Sequence, residues 1–115
     1  MKKRDKIILQ KIISETDVLE KMTVGRNEQN FLASDELMRA TCMTLINIGE
    51  LVKNLSEECR LSYTQIPWKD MAGLRDVTAH GYFTLRMSDI WIYASSELPE
   101  QAKMIRDILS GEPEE

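Results

Sequence analysis

The sequence predicts an all-α protein, an up-and-down bundle of four main helices followed by a short C-terminal helix. Two observations lead there. Only 5 Gly and 3 Pro punctuate 115 residues and aromatics make up 6%, which suits a helical chain better than a sandwich of many short strands and turns. Apolar residues also recur at three- and four-residue spacing over stretches of helical length. At 13.3 kDa the chain is long enough for one core and one domain, placed at residues 1–110, with a polar acidic tail at 111–115 expected to be flexible.

The first helix is predicted from Arg4 to Met22. Ile8, Ile12, Leu19 and Met22 form its apolar stripe, widened by Ile7, Leu9 and Ile13, with Lys, Glu and Asp on the other side. Thr23 to Asn27 read as a stop and a loop, because Gly25 can take the left-handed conformation that closes a helix. The second helix lies in "SDELMRATCMTLINIGELVKNLSEE", with Ser34 as N-cap and Asp35 and Glu36 complementing the dipole. Leu37, Thr41, Thr44, Ile48, Leu51 and Leu55 follow at heptad-like spacing, beside a second line of Met38, Cys42, Leu45, Gly49 and Val52. Two apolar lines mark a helix buried on more than one side, and Gly49 would admit another helix closely.

After a loop through "CRLSYTQIPWKD", Pro67 suits the first position of a third helix, running from about Trp68 to Ala79 or His80 with Gly81 as terminator. Ser88 is the predicted cap of a fourth helix through Ile90, Trp91, Tyr93 and Ala94. Pro99 is expected to break or kink it before a last amphipathic segment carrying Ala102, Ile105, Ile108 and Leu109.

Several function classes are disfavoured. The start, "MKKRDKIILQKIISETD", is basic and then apolar, but Gln10 and Lys11 interrupt it and no small-residue cleavage site follows, so it does not read as a signal peptide. No stretch approaches the roughly 18 apolar residues a bilayer span needs. A soluble, cytoplasmic protein with no membrane partner is expected. Cys42 and Cys59 have no CxxC spacing and there is one histidine, so free buried thiols and neither a metal site nor a cofactor are expected. The net charge of -4 supplies no global field for nucleic acid, and any RNA contact would need a local patch.

Candidate chemistry concentrates in "GLRDVTAHGYF", which holds the one histidine, His80. Asp76 and His80 are four apart and share a helix face, so the carboxylate can orient the imidazole. Arg75 and Tyr82 flank them. A histidine titrating near neutrality serves as general acid or base, a guanidinium holds a phosphate bidentately, and a phenol can position the leaving oxygen. That set suits phosphodiester transfer without requiring a metal. A lone histidine near a helix end also serves as a partner of the helix dipole, and an Arg–Asp pair is commonly a solvated face. In-line cleavage needs both a base for the 2′-hydroxyl and an acid for the 5′-oxygen, yet each chain has one histidine. A two-fold dimer would bring two copies of His80 and Arg75 to one cleft.

"IPWKDMAGLRDVTAHGYF" resembles the signature of HepT-like toxins of the HEPN superfamily: Arg75, a polar residue at Asp76, three further residues, His80, any residue, Tyr82. "LINIGELVKNLS" resembles the family's Ile-Gly-Glu segment, and "ELPEQAKMIRDIL" extends the similarity downstream, so almost the whole chain is covered. The resemblance implies a HEPN-like helical bundle that dimerises with its motifs facing a shared cleft. It also implies metal-independent endoribonuclease activity in a toxin–antitoxin pair with a minimal nucleotidyltransferase antitoxin, which can transfer AMP to the motif tyrosine, here Tyr82. Arg75 and His80 would then be catalytic, with Asp76 and Tyr82 supporting. Asp76 stands where many relatives have Asn, and its charge would repel substrate somewhat while raising the pKa of His80. Two other readings remain open: a non-catalytic helical module that docks a nucleotidyltransferase or nucleotide, and a structural helical dimer with Arg75 and His80 pairing across its interface.

Overall fold

The computed structural model describes residues 1–81 and 86–111, with the backbone alone for 77–81. Among these residues there are seven α-helices and no strand: α1 (Lys3–Thr23), α2 (Glu28–Leu32), α3 (Asp35–Lys53), α4 (Glu57–Ser62), α5 (Trp68–Gly81), α6 (Met87–Ile92) and α7 (Leu98–Gly111). The predicted all-α, HEPN-like bundle is what forms. Residues 112–115 of the expected tail lie outside the described residues.

In α1, Ile8, Leu9, Ile12 and Leu19 are buried as their spacing predicts, while Ile7 stays exposed. Gly25 closes the helix with φ 75°, a conformation that costs a residue without Cβ nothing. Asp5 departs from its expected place on the polar side, being 2% exposed. Its Oδ1 accepts the Ser56 backbone N–H at 2.9 Å and its Oδ2 the Ser56 hydroxyl at 2.6 Å. These bonds fasten the start of α1 to the chain beyond α3 and compensate the burial of the carboxylate.

Two short helices interrupt segments expected to be loop. Asn27 and Asn30 form a reciprocal capping box at the start of α2, both bonds 2.9 Å. This turn buries Phe31, whose ring centroid lies 5.1 Å from that of Trp91. Ser56 caps α4 by accepting the Cys59 N–H at 3.1 Å. Helix α3 accordingly ends at Lys53, short of the predicted limit, while Leu55 is buried beyond it. Ser34 caps α3 as expected, accepting the Leu37 N–H at 3.1 Å.

The fourth helix starts elsewhere than predicted. Arg86, not Ser88, is the N-cap of α6, and it offers no side-chain bond. The interruption expected at Pro99 takes the form of a π turn over Tyr93–Glu97, closed by the Leu98 N–H bonding to the Tyr93 carbonyl. Pro99 is then the second residue of α7. In a regular α register its ring would press on the Ser95 carbonyl, and one extra residue in the turn relieves that conflict.

Helix α3 is central, with α1 on one side and α5 on the other, and α7 packs against the far side of α1. The pairs Asp5 with Ser56, Arg4 with Asn54 and Glu15 with Asn47 run in opposite chain directions, so α1 and α3 are antiparallel. This order leaves α5 on one flank of the bundle, resting on α3.

Candidate active site

The α3–α5 contact is closest at Gly49. A Cβ added there would sit 2.6 Å from the Arg75 nitrogen, 3.1 Å from Arg75 Cβ and 3.2 Å from the Ala72 carbonyl oxygen. The backbone of α5 thus lies directly on α3 at the residue that carries the guanidinium, as the expected role of Gly49 requires.

The neighbour of Gly49 then fixes the side chain. Arg75 Nε donates to Glu50 Oε2 at 2.6 Å, while Nη1 is 3.5 Å from Asp76 Oδ1. The first is a tight charge-assisted bond and the second is too long to be one. Arg75 is 43% and Glu50 49% exposed in their side chains, so the pair contributes less than about 1 kcal/mol to stability. Its consequence is geometric. The guanidinium is anchored by its inner nitrogen, and the outer two, which face carboxylates and phosphates in bidentate binding, are held only loosely.

Of the four predicted site residues, Arg75 and Asp76 are placed next to each other on an accessible face of α5. Helix α5 runs on through Gly81, carrying His80 one turn beyond Asp76. The side chain of His80 and all of Tyr82 lie outside the described residues. Among the described residues Asp76 lies against Arg75, and its expected pairing with His80 falls outside them. Glu50 is the site residue that sequence reasoning did not single out. Its signal was present in "LINIGELVKNLS", but which glutamate meets which arginine depends on how α3 and α5 are set against each other.

Elsewhere, Cys42 and Cys59 are buried thiols with no disulfide, as expected, and burial pushes the Cys42 thiol pKa up. Among the described residues no three of His, Cys, Asp and Glu converge in metal-binding geometry. No helix among them is long and apolar enough to cross a membrane.

Comparison with known proteins decides the kinship. A family profile described as Ribonuclease HepT-like matches residues 12–108, a span that includes Glu50, Arg75, Asp76, His80 and Tyr82. The chain belongs to the HepT-like ribonuclease family. It is 36% identical over 104 residues to "Putative RNase TTE0752" of Caldanaerobacter subterraneus subsp. tengcongensis, covering 90% of this chain and 93% of that protein. It is 34% identical over 110 residues to "Putative RNase MJ0125" of Methanocaldococcus jannaschii, covering 95% of each. It is 28% identical over 99 residues to "Probable ribonuclease HepT" of Thermococcus cleftensis, covering 86% of this chain and 90% of that one. No solved structure matches the chain. Within the HepT-like family frame, the resemblance drawn from Arg75, His80 and Tyr82 holds at the level of family and fold.

Proposed function

We propose that this HepT-like chain is a metal-independent endoribonuclease, acting as the toxin of a pair whose antitoxin is a minimal nucleotidyltransferase. The observation that carries the reading is the anchored, half-exposed guanidinium of Arg75, on the helix that also bears His80. A phosphodiester would be gripped by the outer nitrogens of Arg75, which stabilise the charge gathering on phosphorus-bound oxygens in the transition state. One His80 takes the proton of the 2′-hydroxyl as its oxygen bonds to phosphorus. A second His80, across a two-fold axis, protonates the 5′-oxygen as its bond to phosphorus breaks. Asp76 holds the imidazole in a productive tautomer. Tyr82 assists in the cleft and is the acceptor through which the antitoxin silences the site, its phenol oxygen losing its proton and bonding to the α-phosphorus of ATP as pyrophosphate leaves.

The test is cleavage of RNA by the purified protein in excess chelator, beside His80→Ala and Arg75→Ala. Wild-type activity that both variants lose supports the reading. Equal activity in all three, or a strictly monomeric active protein, refutes it. One observation favours the alternative, a non-catalytic module that docks a nucleotidyltransferase or nucleotide: Arg75 already faces two carboxylates. Growth arrest on expression, relieved by His80→Ala and by co-expression of the partner, dismisses that alternative.

A further inference from the structure

The charge of the chain is unevenly distributed. The first eleven residues carry five cationic side chains and one acidic one, leaving ten against eighteen over residues 12–115. The single acid, Asp5, is turned inward onto Ser56. The first turn of a helix is where cations oppose the macrodipole, and Lys2 as N-cap gives α1 no side-chain bond in return. Helix stability therefore gives no account of this cluster, and departures from local rules concentrate where function demands them.

The cations line a groove. Between α1 and α3 a surface depression of about 460 Å³ is bordered by Lys3, Arg4, Ile7, Ile8, Lys11 and Asn54. Arg4 is fixed there, donating from Nη1 to the Asn54 carbonyl at 2.8 Å. Lys11 also borders the adjoining depression, of about 370 Å³, together with Glu50. Glu50 in turn holds Arg75. A continuous surface thus leads from Lys3 and Arg4 past Lys11 to the guanidinium of the candidate site. The two carboxylates along it are engaged: Glu50 by Arg75 at 2.6 Å and Glu15 by the Asn47 amide at 3.3 Å.

We infer that this α1–α3 groove binds the phosphate backbone of single-stranded RNA beside the scissile bond, with Lys3, Arg4 and Lys11 as its phosphate contacts. The inference rests on the ribonuclease reading. An open row of side-chain cations spread over about 12 Å of helix fits a repeating polyanion better than a single anionic group. It supplies a local cationic patch on a chain whose net charge is -4. Such contacts carry no sequence information, so they would add affinity and direction to the strand without restricting which bases it presents.

The test uses full-length His80→Ala protein, which leaves the probe intact, and a fluorescein-labelled polyuridylate read by anisotropy across a salt series. Adding Lys3→Gln and Lys11→Gln should lower the slope of log affinity against log salt by about 1.4, and affinity at 0.15 M salt by about tenfold to fifteenfold. The same charge change made by Lys21→Gln with Lys103→Gln should leave affinity within about twofold, since both residues lie outside the groove. In the otherwise wild-type enzyme the groove pair should raise KM for long RNA and leave cleavage of a dinucleotide unchanged. Equal losses from the two pairs, or none from either, overturn the inference, as does binding of an anionic vesicle but not of RNA. Cleavage of long RNA that survives the groove variants overturns the inference alone. Absence of cleavage in every protein, with salt-dependent binding still lost in the groove pair, overturns the ribonuclease reading alone.

Discussion

Replacing Gly49 by Ala sets two effects of known size against each other. Glycine in a helix interior is worth about 0.5–1 kcal/mol less than alanine, so on propensity alone Gly49→Ala should stabilise α3. The structure reverses the sign. The new Cβ would sit 2.6 Å from the Arg75 backbone nitrogen, where ordinary contact begins near 3.4 Å. The obstruction is backbone, which no rotamer change can remove, so α5 must retreat by about 0.8 Å. Overpacking of this kind costs about 1–3 kcal/mol. After the propensity gain, the middle of these ranges leaves a net loss of about 1 kcal/mol, or a Tm lower by about 4–5 °C in a domain of this length.

Gly73→Ala provides the internal comparison. Gly73 lies in α5, and a Cβ there would meet nothing within 4 Å. The identical substitution should then raise stability by about 0.5–1 kcal/mol. Urea denaturation monitored by circular dichroism measures both. If Gly49→Ala proves as stabilising as Gly73→Ala, the close α3–α5 approach is wrong, and with it the placement of Arg75 over Glu50.

Further expectations follow from single contacts. Glu50→Ala frees a half-exposed guanidinium, so Tm should move by no more than about 4 °C while ribonuclease kcat/KM falls, and Glu50→Gln, which keeps an accepting oxygen, should recover part of the activity. Asp5→Ala strips Ser56 of both bonds to a buried carboxylate and should cost about 2–3 kcal/mol in urea denaturation. Thr41→Val removes a fully buried hydroxyl that has no hydrogen-bond partner among the described residues and should raise Tm by several degrees, about 1 kcal/mol in stability. Burial raises the pKa of the Cys42 thiol above 9.0 and, with the Glu97 and Asp70 charges, that of the Tyr93 phenol above 10.0. Both groups favour their neutral forms in the folded state, so their contribution is complete below those unfolded values and is lost as pH rises through the folded ones. Denaturant midpoints should therefore fall above about pH 9, and ultraviolet absorbance should show Tyr93 ionising above the ordinary phenol value of 10.0.

The long helices were legible because their information is periodic. Ile8, Ile12 and Leu19, or Leu37, Ile48 and Val52, repeat often enough to define a face. Helices α2 and α4 were not, since five or six residues make too few turns for a pattern to stand out. Their only marks are local caps, Asn27 with Asn30 and Ser56 before two glutamates, which equally well describe turns. Ser88 failed as a cap for the same reason: a serine near a helix start satisfies the sequence rule whether or not its hydroxyl faces an unpaired N–H. The π turn before Pro99 was partly legible, because proline announces a conflict with the α register but not its resolution.

The candidate site divides along a similar line. Arg75, Asp76 and His80 belong to one segment, and helical spacing suffices to relate them. Glu50 is 25 residues before Arg75, and what brings the two together is the pairing of α3 with α5 at Gly49. The same pairing explains why these adjacent residues act as a unit. A side chain at position 49 would hold α5 away, and a residue without an accepting side-chain oxygen at 50 would leave Nε unanchored once α5 had docked. The glycine sets the height of the helix above α3, and the glutamate sets the direction of the guanidinium. Neither alone delivers a phosphate-ready arginine, so the effects of Gly49→Ala and Glu50→Ala on kcat/KM should be less than additive when combined. Additive losses would mean that the two residues act on the site through separate routes.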